Sequence, residues 1–161
     1  MFSPITFLLT AVLSTLTFAA TNSDLDPFQI TNLEITKVQG ANVTLHFTVH
    51  DPDPLGKATQ SCAGSWAIGS GAYPTGGYKM CGNTTFGWHM ESYKTMENFV
   101  LGLEHTYTDP SVGEPPYDQI TNFAKTTLMP KNHPCKTKSG KKVCAQKANT
   151  VLSAPIWGTI A

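Results

Sequence analysis

The segment "WHMES" places His89 and Glu91 two residues apart, where both side chains would lie on one face of an extended strand. Residues at that spacing lie about 7 Å apart, which suits a general acid and a general base with a substrate held between them. Alternating polar residues also occur on the solvent face of many strands, where they have no catalytic role. A hydrolase that uses His89 and Glu91 is therefore an alternative hypothesis, and we predict no catalytic residue.

The other histidines and a nearby acidic turn do not predict a metal site. His46 and His50 have the spacing of a helical metal-binding pair, but on a strand they would lie about 13 Å apart and could not both bind one ion. His105 falls in the apolar phase of its segment, which predicts a partly buried, hydrogen-bonded side chain. Asp51 and Asp53, in "HDPDP", fit turn formation better than calcium binding. The sequence thus predicts no metal and no cofactor.

Several enzyme classes lack their sequence signatures here. The chain has no G-x-S-x-G motif, no phosphate-binding glycine loop and no H-E-x-x-H motif. It contains no arginine, the residue that clamps phosphate through two hydrogen bonds, and this disfavours a ribonuclease and a nucleic-acid partner. A copper-dependent polysaccharide oxidase would require histidine as the first mature residue, where we expect Ala20.

The N-terminal segment is the reason to expect Ala20 as the first mature residue. Residues 1–19 carry no charge, and "ITFLLTAVLSTLTFA" is an apolar run too short to span a bilayer comfortably. Cleavage after Ala19 would satisfy the small-residue rule for a signal peptide. We therefore predict a signal peptide at 1–19, a single secreted β domain at 20–161, an extracellular location and no membrane span.

Secretion changes the interpretation of the four cysteines, which are Cys62, Cys81, Cys135 and Cys144. An oxidising compartment favours disulfides, and the absence of Cys-x-x-Cys spacing disfavours zinc. Four cysteines allow three pairings. Proximity and the hairpin-like "KSGKK" favour pairing each cysteine with its neighbour, and each such bridge would add roughly 3 kcal/mol to stability.

The sequence contains two N-glycosylation sequons, which are relevant only if the protein is secreted. Asn42 stands in Asn-Val-Thr and Asn83 in Asn-Thr-Thr. If both carry sugar, both face solvent, and no partner surface lies directly over them.

The elements that must position these residues are strands. "NVTLHFTVHD" alternates apolar and polar residues, and "NFVLGLEHTY" repeats the pattern with His105 in the apolar phase. "FQITNLEI" changes phase near Asn32, which predicts a β-bulge. Gly- and Pro-rich connections separate the strands, and no long stretch has a helical period. The predicted fold class is all-β, a compact antiparallel β-barrel or sandwich stapled by two disulfides.

The zero net charge conceals an asymmetry along the chain. Residues 20–118 contain 11 acidic residues and four lysines, whereas residues 119–161 contain seven lysines and no acidic residue. Four of those lysines lie between the last two cysteines, in "CKTKSGKKVC": Lys136, Lys138, Lys141 and Lys142. Such a loop could hold an anionic partner by point charges that salt screens, or it could be a solvated hairpin whose lysines prevent edge-to-edge aggregation.

Aromatic residues suggest one more alternative, a hollow barrel that carries a small ligand. Its lining would comprise Trp66, Phe86, Trp88 and Tyr93. Ordinary core packing explains the same residues and is the favoured interpretation.

The order of several motifs resembles the Alternaria major-allergen-like family of fungal small secreted proteins. These are "FQITNLEI", "VTLHFTVHDPD", "CAGSW", "CGNTTFGWHM", "NFVLGLEHTYTDPSVGEPPYDQITNFAKTTL" and the late cysteine pair, which together cover nearly all of the mature region. The resemblance implies a compact β-barrel, two intrachain disulfides in the neighbour pairing and a non-enzymatic role as an effector or elicitor at the plant surface. Some members dimerise through an additional N-terminal cysteine, which this sequence lacks, so a monomer or a non-covalent dimer is expected.

Together these observations predict a secreted binding protein of the fungal effector or elicitor type that acts outside the cell without catalysis. Its predicted partner is a host apoplastic protein, a wall component or a small phenolic ligand, bound by exposed loops. The alternatives are the small secreted hydrolase and the small-ligand carrier.

Overall fold

A computed structural model describes residues 25–69, 71 and 73–161, so the predicted signal peptide at 1–19 lies outside the described residues. The described residues form eleven strands in two antiparallel sheets. The first sheet contains β1 (Phe28–Val38), β2 (Val43–Asp51), β3 (Ala58–Trp66), β8 (Cys135–Lys138), β9 (Lys141–Ala145) and β10 (Leu152–Ala154). The second contains β4 (Lys79–Met80), β5 (Phe86–Thr95), β6 (Asn98–Thr108), β7 (Gln119–Leu128) and β11 (Ile156–Ile160).

The order of the strands shows a sandwich. In the first sheet the order is β3-β2-β1-β9-β8, with β10 also paired to β1, and in the second it is β11-β7-β6-β5-β4. No strand pairing joins the two sheets among the described residues, so the sandwich, rather than the closed barrel, is the correct member of the predicted pair. The described strands and turns include no helix that could cross a bilayer.

The core lies between the two sheets and follows the predicted alternation. In β2 the apolar set is buried and the polar set alternates with it toward solvent, and in β6 the buried set includes His105, as expected. The largest fully buried side chains come from both sheets: Phe28, Ile30, Leu33, Ile35, Leu45, Phe47, Phe86, Trp88, Met90, Phe99, Leu101 and Leu103. The predicted strand periodicity is therefore confirmed.

The predicted β-bulge is present in β1. The pairing of β1 with β2 shifts between Thr31 and Glu34, and Asn32 has a φ of 55°. The Gln146 side chain satisfies the interrupted backbone, because its Oε1 accepts from the Leu33 N–H at 3.2 Å and its Nε2 donates to the Ile30 carbonyl at 3.1 Å. The bulge restores the apolar phase, so that Leu33 and Ile35 face the core.

The last segment of the chain connects the two sheets. Strand β10 pairs with β1 in the first sheet, and β11 pairs with β7 in the second. Pro155 stands between them, and its carbonyl accepts a hydrogen bond from the Lys125 N–H. Because proline cannot donate to a ladder, the crossing point falls where no ladder bond is needed.

Two disulfides occur in the pairing that the sequence favoured. Cys62 of β3 is bonded to Cys81, which follows β4, so this bridge joins the edges of the two sheets. Cys135 is bonded to Cys144, and the two residues face each other across β8 and β9. The first bridge therefore fastens the sandwich, and the second closes a local hairpin.

A buried hydrogen bond between side chains also connects the sheets. His105 Nδ1 of β6 lies 2.8 Å from Asp51 Oδ2 of β2, and the two side chains are 2% and 0% exposed. The imidazole stacks on Phe86 with ring centroids 3.8 Å apart. Asp51 Oδ1 also accepts from the Asp53 N–H, as turn formation predicts. Removal of one member would leave the other buried without its partner, which is costly.

Trp88 packs across the sandwich onto the first sheet. Its indole is fully buried, contacts Phe47 edge-on with centroids 6.0 Å apart, and covers Gly64 of β3. A Cβ at position 64 would overlap the six-membered part of the indole. A glycine is therefore required at that position by the close approach of the ring.

We predict that Gly64→Ala destabilises the fold by roughly 1–3 kcal/mol, because the indole must move out of a well-packed interior. Urea unfolding followed by far-UV circular dichroism measures the change. Gly76→Ala is the control, since a Cβ there meets nothing within 4 Å. Equal unfolding midpoints for the two variants would contradict the role assigned to Gly64.

Candidate functional site

The lysine-rich segment forms a hairpin, as its sequence predicted. Strands β8 and β9 pair from Cys135 opposite Cys144 to Lys138 opposite Lys141. Ser139 and Gly140 form the two-residue turn with φ values of 50° and 76°. Positive φ at both positions is the geometry of a type I′ turn, which matches the twist of the flanking strands.

The register divides the four lysines between two faces of the hairpin. Lys138 is opposite Lys141, and Lys136 lies two residues before Lys138, so these three share one face. All three are exposed, and none has an ion pair within the described part of the chain. Lys142 is on the opposite face and bonds Glu97 at 2.6 Å. The effective positive patch is therefore smaller than the sequence suggested.

Strand β8 is also an edge strand of the first sheet. Lysines on an edge prevent pairing with a strand of another chain, so the solvated-hairpin interpretation has a structural basis too.

An open cleft lies on the Lys142 face of the hairpin. It has a volume of about 440 Å³ and is lined by Lys37, Gln39, Gly40, Ile68, Thr137, Gly140 and Lys142. A second cavity of about 280 Å³ shares Lys37 and Ile68 with it and extends to Trp66, Tyr73, Tyr93 and Lys94. The sequence interpretation missed Lys37 and Lys94 because they belong to the acidic part of the chain, and only the fold places them beside the hairpin.

The predicted ligand-carrier aromatics separate into two groups. Phe86 and Trp88 are fully buried in the packed core, in contact with His105 and Phe47 respectively. Trp66 and Tyr93 pack edge-to-face 5.8 Å apart at the wall of the second cavity. The four residues therefore do not line one common space.

Both predicted glycosylation sites are exposed. Asn42 lies between β1 and β2, next to the turn that lines the cleft, and Asn83 lies in the turn between β4 and β5. A sugar on Asn42 would stand near the cleft.

His89 and Glu91 lie on the outer face of the second sheet, but the described residues show no hydrogen bond between them. The His89 imidazole lies against Gly102 and is covered by the Tyr78 ring, with centroids 4.3 Å apart. Its Nδ1 is buried and has no hydrogen-bond partner among the described residues. Glu91 instead accepts a hydrogen bond from Lys125 Nζ at 3.3 Å. The hydrolase alternative gains no geometric support.

The outer face of the second sheet carries a row of aromatic rings, which we call the aromatic face: Tyr78, His89, Phe123 and Trp157. Tyr78 and Phe123 have centroids 6.0 Å apart, and Phe123 and Trp157 have centroids 5.7 Å apart. Lys125 Nζ lies 5.3 Å from the Trp157 ring. Sequence reasoning missed this row because its members come from four separate strands or their ends.

Two carboxylates border the aromatic face. Burial raises the pKa of Tyr78 to about 12, and the nearby Glu104 and Glu91 carboxylates add to the shift. Burial also raises the pKa of Glu104. Both shifts disfavour additional negative charge on this face.

The two histidines with metal-pair spacing in the sequence, His46 and His50, have different surroundings. His46 is exposed, and His50 Nδ1 lies 2.7 Å from Thr59 Oγ1. Among the described residues no group of three or more His, Cys, Asp or Glu side chains could hold a metal ion.

No protein-family model, curated protein or solved structure matches the chain. The resemblance to the Alternaria allergen-like family therefore rests on the sequence motifs alone.

We predict that Tyr78 ionises with a pKa of about 12, well above the ordinary tyrosine value of 10.0. Because the folded-state pKa exceeds the unfolded value of 10.0, the stability that Tyr78 contributes is complete below pH 10 and is lost as pH rises toward 12. Carbon-13 NMR of labelled tyrosine rings measures the titration of Tyr78. Glu104→Gln should lower the Tyr78 pKa and Glu97→Gln should leave it unchanged. A Tyr78 titration centred near 10 would contradict the assigned environment.

Proposed function

We propose that this protein is a secreted, non-catalytic binding protein of the fungal effector or elicitor type, which acts outside the cell at the plant host surface. The two disulfides are consistent with an extracellular location. The family resemblance of the sequence supports the effector role. The surface that best supports binding is the lysine hairpin.

One observation carries this proposal. Lys136, Lys138 and Lys141 project from one face of a hairpin that a disulfide closes, and none has an ion pair within the described residues. Unpaired ammonium groups on a constrained scaffold attract anions without first breaking an internal pair. The ligand we propose is an acidic wall polymer, since repeated carboxylates match a row of point charges.

A small phenolic acid is a second candidate ligand, favoured by the cleft. Lys37 and Ile68 line both the cleft and the second cavity. The Lys37 ammonium group therefore lies on the same cavity as the aromatic surface of Trp66 and Tyr73. An aromatic ring with a carboxylate would satisfy both parts. A host apoplastic protein with an acidic surface is a further candidate partner, which the hairpin lysines would bind.

We predict that replacing Lys136, Lys138 and Lys141 together with glutamine lowers affinity for immobilised polygalacturonate about a hundredfold at low salt. Each lysine near an anionic surface contributes about 1 kcal/mol, and about 1.4 kcal/mol corresponds to a factor of ten. Biolayer interferometry over a series of salt concentrations measures the loss and its screening.

The matched control replaces three exposed lysines outside the hairpin, Lys57, Lys79 and Lys131, with glutamine, so the net charge change is identical. This triple should retain most of the affinity. If both triples bind as the unchanged protein does, or lose affinity equally, the hairpin is a solvated edge and the proposal is wrong. If a phenolic acid competes equally well with the unchanged protein and with the hairpin triple variant, the cleft is the binding site instead.

A further inference from the structure

The aromatic face has the architecture of a flat binding surface. Trp157 is 52% exposed, and Tyr78 and Phe123 are partly exposed beside it. Neighbouring rings are tilted by 34° to 44° rather than set edge-to-face, so they present their faces along a continuous row. In the core, by contrast, Phe47 and Trp88 meet at 87°.

Two glycines beneath the row have no side chain, so the groups above them can pack directly on the sheet backbone. Gly102 is covered by the His89 imidazole, which in turn supports Tyr78. Gly87 is covered by the Glu104 side chain, whose Cγ lies within 2.9 Å of the position that a Cβ would occupy. A side chain at either glycine would lift these groups away from the sheet. The row is thus held in place by backbone that approaches it closely.

Two carboxylates and one ammonium group lie on this face. Glu91 is paired with Lys125, whose ammonium group lies over Trp157, and Glu104 has a raised pKa because of burial. The excess of carboxylates disfavours an anionic ligand, and the ammonium group is already paired with Glu91. It offers aromatic surface together with hydrogen-bond acceptors and one donor.

We propose that the aromatic face binds an uncharged polysaccharide chain. The axial C–H groups of a pyranose ring form an apolar, slightly positive surface, which is complementary to the negative face of an aromatic ring. Trp157 and Phe123 would stack on successive sugars, while Glu104, Glu91 and Lys125 bond the hydroxyl groups at the sugar edges. The chain would run along the open face without entering a cavity.

A second copy of this chain fits the face less well. The cores of protein–protein interfaces are depleted in charged residues, whereas Glu104 and Lys125 lie directly beside this row. An anionic polymer is also disfavoured, because the nearest charges include two carboxylates. The face is distinct from the lysine hairpin, which is part of the other sheet, so either site can fail without the other.

The experiment uses the intrinsic fluorescence of tryptophan. Trp66 and Trp88 are 6% and 0% exposed, so a ligand that covers Trp157 changes the emission of the exposed indole. The full mature protein is titrated with cellohexaose, xylohexaose, laminarihexaose and chitohexaose, and with hexagalacturonate as the charged comparison. We expect a saturable blue shift with at least one neutral hexaose and none with hexagalacturonate.

Variants then locate the site by isothermal titration calorimetry. Trp157→Ala should weaken binding of that hexaose at least tenfold, whereas Trp157→Phe should keep it within about threefold because a stacking ring remains. Tyr117→Ala, which removes a more exposed aromatic side chain elsewhere, should have no effect.

Three outcomes would overturn the inference: no neutral hexaose causes a shift; Trp157→Ala and Tyr117→Ala bind equally well; or the shift appears on raising protein concentration without sugar. The last result would assign the face to self-association. Since the hairpin lysines take no part in the binding of a neutral hexaose, failure of this inference leaves the wall-polymer proposal unaffected.

Discussion

The packing of Trp88 between the two sheets is the constraint on which most of this structure depends. Because side chains alternate along a strand, burial of Phe86, Trp88 and Met90 in the core obliges Gly87, His89 and Glu91 to face outward. A shift of one residue in the register would exchange these sets. The interior contact of one indole therefore determines which residues form the outer surface of the second sheet.

The molecule separates two kinds of surface chemistry. The first sheet ends in a disulfide-closed hairpin with three lysines that form no ion pair with any described residue, and the second sheet carries an aromatic row beside the Glu91–Lys125 pair. We propose that the first surface binds acidic groups through salt-sensitive contacts and that the second binds neutral sugars, so that the protein engages two components of one wall.

Much of the fold could be predicted from local patterns. Period-two alternation identified β2 and β6, the phase change located the bulge at Asn32, and the spacing of Cys135 and Cys144 indicated the hairpin. These features depend on residues close together in sequence. The buried partner of His105 was not predicted, because Asp51 is separated from it by 54 positions and looked like an ordinary turn residue.

The sequence alone determined the strand periodicity, the all-β class and the positive character of the hairpin, because each is a property of neighbouring residues. Only the tertiary structure decided that two sheets pack as a sandwich, that Glu97 neutralises Lys142, and that Lys37 joins the cleft. It alone assembled Tyr78, Phe123 and Trp157 into one row. The reason is that strands far apart in the chain become neighbours through sheet pairing, which the pattern within any single strand does not specify.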